Sequence, residues 1–567
     1  VTFEGIMQIL SVIAIIFAIG IPLGGYMYRV YTGRRSWLEP VFVPTERFFY
    51  RLVGVNPAAQ MDWRAYLKPI LLVSFVVMMF AYAMWRLMGH LPLNPDGNKS
   101  MPPELAFNTA ASFITTTNWQ NYGGETGMTY LGQLAAIVVQ FVAPALGMVA
   151  AVAFLRGLAN DRSSNVGNFW VDFIKTFTRI LIPICLVSAI VLVGLGVPDT
   201  FLGAAKVHTL QGAVQTISRG PVAAQVPIMQ LGNNGGGWFN ANLSHPLADP
   251  TALTDVIELV LMGVGPTAFL VMFGHFIRSR KWTAIFYVFI GGMLVAGTMV
   301  IYASESAGNP ILHHVLGVTG PNMEGKEVRF GIPLSSLFVA VTAGTDTGAV
   351  NAMHDSLTPL GGLVPMANMM LMVVLGGEGV GLLSIIMFLI ITVFLSGLMV
   401  GRTPEIFGKK IESREIKLAV LAMLSSPVTL LIPTAIAVMT KTGVSSMENP
   451  GLHGFSEVLY AFTSMTFNNG SAFGGLGGNT PFFNLVGGVV MLLGRYISMI
   501  AMLAIAGSLA MKPRIPVSAG TLKTDTFTFG WIWVAVVVIV GALTFFPALA
   551  IGPIAEQIQM VSGHLSQ

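Results

Sequence analysis

Long apolar runs alternate with shorter polar segments along the chain, and ten of the runs are long enough to cross a bilayer as helices. A crossing helix needs about 20 mostly apolar residues, because in hydrocarbon its backbone polar groups must bond within the segment. The runs centre near Ile16, Val77, Val139, Leu186, Met262, Met293, Ile386, Leu430, Val490 and Val538. The first, Gly5 to Tyr28, has no basic residue before it and lacks the short apolar core and cleavage site of a signal peptide, so it is expected to be a retained span.

The polar segments fall into two alternating sets. Segments 29–68, 156–179, 278–281, 402–417 and 512–523 hold 22 of the 30 Lys and Arg residues. Segments 89–127, 197–251, 304–332 and 441–480 hold 6. The positive-inside rule places the first set in the cytoplasm and predicts that both termini lie outside.

Each of the four long outside segments contains, or in the third case leads into, an apolar stretch too short to span that runs directly into a turn rich in Gly, Asn or Thr. The stretches are Pro103 to Ile114, Val222 to Leu231, Pro333 to Ala343 and Ser456 to Thr466. The turns read TTTNWQNYGG (115–124), GNNGGGWFNAN (232–242), GTDTGAVN (344–351) and FNNGSAFGG (467–475). Aligned on Asn118, Gly235, Gly348 and Gly470, they recur at spacings of 117, 113 and 122 residues. Ser112, Thr342 and Ser464 each lie six residues before the aligned position, where the second unit has Met229. The predicted architecture is all-α and integral to the membrane. It has a first span (1–28), four units of helix, re-entrant loop and helix (64–157, 169–278, 280–400, 415–510) and a last span (527–552).

Composition supports this reading and excludes others. Hydrophobic residues make up 54% and charged residues 10%, against roughly 25% charged in soluble globular proteins. The pI of about 9.1 does not indicate nucleic-acid binding, because the basic residues sit in short segments between spans. Cys185 is the single cysteine, so no intrachain disulfide can form, and it reads as a small core residue.

Four re-entrant turns on one side suggest a path for a small cation. Backbone carbonyl rings can replace the water shell of potassium, and glycine lets the backbone approach an ion closely. Thr117, Asn118, Asn234, Thr347, Asn468 and Asn469 offer hydroxyl or amide groups that fix the loops or add oxygens. A short helix ending at each turn would aim its C-terminal partial negative charge, roughly half an elementary charge, at the ion. Asp346 is the one acid within a turn; it would either raise cation affinity or fix the loop. Any one glycine turn alone reads equally well as a packing site between helices.

Other polar residues fall inside spans. Arg495 lies midway along the ninth, where a charge usually faces a cavity or a partner; it would either oppose free cation flow below the turns or form a structural ion pair. Glu378, within GGEGVG (376–381), sits where the glycines are expected to unwind the seventh span, as at gates and ion sites of transporters. Arg86 is expected to snorkel to the outer interface. His354 and Asp355 have the look of a catalytic dyad but lack a nucleophile or metal-ligand set at useful spacing, so a hydrogen-bonded loop is expected. No GxxxxGK[ST] phosphate loop occurs, and no loop can hold a nucleotide-binding domain, so nucleotide binding and ATP hydrolysis are not expected of this chain. TKTG (440–443) has Thr440 where a phosphorylated aspartate would be required.

Longer strings carry a resemblance to a known family: FNTAASFITTTNWQNYGGE (107–125), GNNGGGWFNANLSHP (232–246), GAVNAMHDSLTPLGG (348–362), GRTPEIFGKKIE (401–412) and NNGSAFGGL (468–476). Over nearly its whole length the chain resembles the potassium-binding A subunits of the bacterial Kdp potassium-transporting ATPase, KdpA, in the superfamily of potassium transporters. The resemblance implies a single chain folded like four potassium-channel subunits in the bacterial inner membrane, surrounded by lipid. It implies a filter that binds potassium from outside, made of Thr116, Thr117 and Asn118; Asn233, Asn234 and Gly235; Asp346, Thr347 and Gly348; and Asn468, Asn469 and Gly470. It also implies a P-type ATPase partner, KdpB, which hydrolyses ATP, and the small subunits KdpC and KdpF. Trp238, where phenylalanine is common, and Asp346, where small hydroxyl residues often occur, depart from the family pattern. A Trk- or Ktr-type subunit without P-type coupling is the alternative, and a multispanning membrane enzyme using His354 and Asp355 is a more distant one.

Overall fold

The structure, a computed structural model, describes residues 1–34, 39–516 and 522–563. Among the described residues ten helices are long and apolar enough to cross a membrane: Phe3–Tyr31, Trp63–His90, Tyr130–Ala159, Phe169–Gly194, Ala252–Phe276, Arg280–His313, Val380–Val400, Ser413–Met439, Pro481–Met511 and Phe527–Val561. They contain the ten expected centres in order. Several start at side-chain caps that satisfy otherwise unpaired backbone N–H groups. Asp62, Thr129, Thr251, Thr480 and Thr526 each accept from the backbone three residues on.

Between the two spans of each unit lies a short helix: Pro103–Ile114, Val222–Leu231, Gly331–Gly344 and Leu452–Thr466. The first two match the sequence expectation, and the last two begin two and four residues earlier than expected. The fourth starts earlier because Leu452–Phe455 packs against the last span: Phe455 lines the same core cluster as Ala548 and Leu549.

The second span of every unit is the more buried. In unit one 83% of the hydrophobic window is buried against 22% for its first span, in unit two 83% against 28%, in unit three 67% against 39% and in unit four 56% against 33%. The second spans therefore form an inner layer around the short helices, and the first spans an outer layer. The first span of the chain packs on the fifth, where Gly20 and Gly24 lie against Thr267 and Ala268; small residues let helix backbones approach closely. The last span meets the sixth where Gly530 faces Phe289, and it meets the first part of the broken seventh span where Gly541 faces Leu371.

The seventh span is broken, as its glycines predict. Pro359–Leu371 is helical, the chain unwinds over 372–379, and Val380–Val400 resumes. Met372, Leu375, Gly376 and Gly379 all have positive φ in the break.

Some elements fall inside segments read only as loops. Glu39–Val53 is a helix between the first two spans. It is fastened by Arg179 of the fourth span, which donates to both Glu46 oxygens at 2.5 and 2.9 Å. Two small antiparallel hairpins, Ala205–His208 with Val214–Ile217 and Glu405–Ile406 with Lys409–Lys410, supply the named strands among the described residues.

Candidate ion-binding site

The short helices run into the four turns, so each delivers its C-terminal end there. In every unit the backbone carbonyl six residues before the aligned position accepts from the turn. Asn118 N–H donates to Ser112 O at 3.1 Å, Asn234 to Met229 O at 3.0 Å, Thr347 to Thr342 O at 3.0 Å and Asn469 to Ser464 O at 2.9 Å. Met229 fits the repeat because this shared contact uses only its backbone. The side chains of Ser112 and Ser464 add bonds to their own turns, at Trp119 O (3.1 Å) and Gly470 N (2.8 Å).

Backbone conformation repeats as well. Thr116, Asn233, Asp346 and Asn468 are left-handed, with φ of 63°, 46°, 52° and 56°, and so are Asn118, Gly235, Gly348 and Gly470, at 52°, 60°, 84° and 100°. An extended strand turns successive residues to opposite faces, and left-handed residues at alternate positions break that alternation. Bulky residues pay an energetic penalty in this region, which explains the Gly, Asn, Asp and Thr composition.

The four turns close into a ring. A Cβ on Gly235 would overlap Thr347 O, one on Gly348 would overlap Asn469 O, and one on Gly470 would overlap Thr117 O. Gly236 completes the circuit, because a Cβ there would lie 2.8 Å from Asn118 Cβ. Units one, two, three and four are thus neighbours in cyclic order, and at three of the four junctions a glycine abuts a carbonyl of the next unit.

Side-chain bonds give the ring a pairwise alternation. Asn233 Nδ2 donates to Thr347 Oγ1 at 2.9 Å and to Met262 O at 2.8 Å. Asn468 Nδ2 makes the equivalent bonds to Thr117 Oγ1 and Met491 O, both at 3.0 Å. In units one and three the threonines bond within the turn, Thr115 with Thr117 at 2.7 Å and Thr345 with Thr347 at 2.6 Å. Asn234 and Asn469 anchor behind the turns, on Gln140 O (2.8 Å) and Thr342 O (2.9 Å). Eleven of the twelve expected turn residues are buried, and Gly470 is half-buried.

Above the ring is a cavity of about 780 Å³, to which the turns contribute Asn118, Gly236, Gly348 and Gly470. Asp, Glu, Lys and Arg are absent from its lining, which is mainly Asn, Gln, Gly and small or apolar residues. Asp346 points elsewhere: its Oδ2 accepts from Gly377 N–H at 3.3 Å, tying the third turn to the break in the seventh span. Gly376 N–H also donates to Gly344 O at 2.7 Å.

Glu378 and Arg495 are brought together beside Gly147. Both are buried, and Gly147 of the third span faces both the Arg495 guanidinium and the Glu378 carbonyl. The Glu378 carboxylate lies against Gly265 of the fifth span, and among the described residues its Oε2 has no hydrogen-bond partner. Among the described residues neither Glu378 nor Arg495 makes an ion pair. Arg86 donates to Met101 O near the C-terminal end of its helix.

His354 and Asp355 do not face one another as a dyad. His354 Nδ1 lies 2.8 Å from Tyr460 Oη, and burial pushes its pKa down to about 3, so the ring is neutral. Asp355 pairs with His453 at 2.9 Å. Trp238 is a packing residue, with its indole N–H on Ser218 at 3.2 Å and its ring 5.3 Å from Tyr130.

Sequence reasoning missed Gln140. Its amide donates at 2.9 Å both to Asn118 Oδ1 and to Gly235 O, and its Oε1 accepts from Gln225 at 3.0 Å. A glutamine at the centre of the apolar third span, in VVQFV, was the available signal.

Ten spans, four re-entrant helices and a closed ring of turns define an all-α membrane protein of channel-like fold. The family model "Potassium-transporting ATPase A subunit", KdpA, matches residues 10–558, and the chain belongs to that family. A relative from Alicyclobacillus acidocaldarius named potassium-transporting ATPase potassium-binding subunit is 59% identical over 560 residues, covering 99% of this chain and 100% of the relative. One of the same name from Mesorhizobium japonicum is 50% identical over 564 residues, covering 99% of each. Among solved structures, the potassium transporter TrkH from Vibrio parahaemolyticus superposes with a TM-score of 0.51 at 14% identity, covering 87% of this chain and 98% of that one. That likeness concerns the fold alone.

Proposed function

We propose that this chain binds potassium from the outside at the ring of four turns and passes it through the membrane to a separate P-type ATPase subunit, KdpB, in a complex completed by KdpC and KdpF. The observation that carries this reading is the closed ring, in which Gly235, Gly348 and Gly470 each abut a carbonyl of the next turn. Backbone oxygens so arranged can replace the hydration shell of potassium. With no charged side chain lining the outer cavity, attraction for a cation falls to the carbonyls and to the C-terminal ends of four short helices.

Glu378 and Arg495 act on passage beyond the ring. A cation leaving the turns meets a carboxylate held at a helix break and a guanidinium with no ion-pair partner, two charges of opposite effect on its progress. The basic segments face the cytoplasm and both termini face outward. ATP is hydrolysed by the partner, and this chain binds none.

Calorimetry on the purified chain tests the filter. Potassium is expected to bind with sodium a weaker competitor, and Gly348→Ala to weaken potassium binding by at least about tenfold, since its Cβ would overlap Asn469 O. Unchanged potassium binding in that variant would overturn the filter assignment. Potassium uptake that requires ATP and the co-expressed ATPase subunit would separate this reading from a Trk- or Ktr-type subunit, which needs no such partner.

A further inference from the structure

A second site lies outside the ring, where the outer loop of unit three meets the fourth short helix and the last span. Asp355, His453 and Glu457 each place one ligand-capable atom there, and these atoms lie within 4.8 Å of one another. His453 and Glu457 are four residues apart on one helix, the spacing that sets two side chains on a common face. Asp355 reaches them from the short turn His354–Ser356 that follows the third filter turn. We propose that this cluster is a binding site for a divalent transition-metal ion of the zinc type, bracing the outer mouth of the protein.

The surroundings support the assignment. His453 Nδ1 bonds Glu556 Oε1 of the last span at 2.6 Å, while Nε2 faces Asp355 Oδ1 at 2.9 Å. A carboxylate on one ring nitrogen orients the imidazole and raises the basicity of the other, as in carboxylate–histidine–zinc arrangements. Asn449 Nδ2 holds both other carboxylates, Glu457 Oε1 at 2.7 Å and Asp355 Oδ2 at 3.4 Å. Glu457 is 1% exposed, and its Oε2 is buried with no hydrogen-bond partner among the described residues. A buried carboxylate oxygen without a partner is costly unless an ion or proton satisfies it.

The two carboxylates also converge on a space kept open by glycine. A Cβ on Gly475 would overlap Glu457 Oε1 and lie 2.8 and 3.0 Å from the two Asp355 oxygens. One imidazole and two carboxylates suit zinc, whose bonds to such ligands are about 2.0–2.2 Å. The ligand atoms therefore draw inward on binding, and the Nε2 proton of His453 leaves to solvent. A cavity of about 300 Å³ lined by Asp355, His453, Asn449 and Glu556 supplies an entry path and room for a water as fourth ligand. Asp355 N–H donates to Phe473 O at 2.8 Å, and the Phe473 ring stacks on His453, so an ion here would couple the third and fourth turns' outer loops to the last span. The site is independent of which ion the ring selects.

The test uses the purified full chain in detergent, stripped with a chelator and then titrated with Zn²⁺ alone. One Zn²⁺ per chain is expected, with a rise in thermal unfolding temperature. Asp355→Asn and Glu457→Gln should abolish that equivalent, and Glu556→Gln should keep it while weakening affinity about 10–100-fold, the usual effect of removing an outer-shell partner. Zinc binding that survives both ligand variants, or no stoichiometric binding, would overturn the proposal. Should the variants fail to fold, X-ray absorption on the native chain loaded with Co²⁺ decides. A shell of one imidazole nitrogen with carboxylate and water oxygens is expected, and a shell without imidazole overturns it.

Discussion

The side-chain amide of Asn468 donates to the hydroxyl of Thr117 at 3.0 Å, joining the last unit of the ring to the first across 351 residues of sequence. Asn233 makes the same bond to Thr347 between units two and three. The ring is therefore a pair of like halves, each a threonine turn followed by an asparagine turn, and the two junctions should respond alike to mutation.

Asn468→Ala leaves the Thr117 hydroxyl and Met491 O without this donor in a buried site. The expected cost is about 1–3 kcal/mol of stability, with a loss of potassium-over-sodium preference. Asn233→Ala should match it within about twofold in affinity, since 1.4 kcal/mol is tenfold. Thermal unfolding and competition calorimetry on the two variants check both expectations.

Gly470→Ala should be far more harmful than a glycine-to-alanine change at an open position of a span. Its φ is 100° and the new methyl would overlap Thr117 O. Gly292, in the sixth span, has nothing within 4 Å of an added Cβ, so Gly292→Ala should be neutral or stabilising by up to about 1 kcal/mol. Potassium binding is expected to be lost in the first variant and retained in the second.

Gly265→Ala tests the inner pathway without replacing a charged residue. An added Cβ would overlap Glu378 Oε2, so the carboxylate must move. If Glu378 governs passage beyond the ring, Gly265→Ala and Glu378→Gln should both slow potassium uptake at least about tenfold while leaving potassium binding within about twofold, a difference of no more than about 0.4 kcal/mol. Equal losses of binding and uptake would place the fault in the ring instead.

Lys409 is a fully buried lysine at the basic end of the protein. Its ammonium donates to the carbonyls of Gly157 (3.4 Å), Asn160 (2.5 Å), Leu509 and Lys512 (3.4 Å). It thus caps the C-terminal ends of the third and ninth spans together. Lys409→Met keeps the stem and removes the donors, leaving these carbonyls without that partner. A loss of about 3 kcal/mol is expected, at about 1–3 kcal/mol for a buried group left unsatisfied. Denaturation of the variant against the native chain measures it.

Much of this organisation was legible in the sequence because it depends on local averages. Hydropathy summed over about 20 residues located the spans, and the glycines of GGEGVG marked the unwound segment. The turns were found from their Gly, Asn and Thr content after short apolar stretches, and the structure shows why those residues are there: alternate positions are left-handed. The helix Glu39–Val53 was not found. Its segment reads as a basic loop, and its place is set by the Arg179–Glu46 pair from a distant span. Gln140 and Lys409 were missed for a like reason, because Gly235 and Gln225, which Gln140 meets, and the carbonyls that Lys409 meets lie about 85 to 250 positions away.

By itself the sequence determined the ten crossings, the four short helices and the place of the turns, all consequences of how each segment meets hydrocarbon or water. Only the tertiary structure decided the cyclic order of the turns, the asparagine–threonine junctions, the meeting of Glu378 with Arg495 beside Gly147 and the cluster of Asp355, His453 and Glu457. Those depend on contacts between residues about a hundred or more positions apart, and no local periodicity records which distant carbonyl a glycine will face.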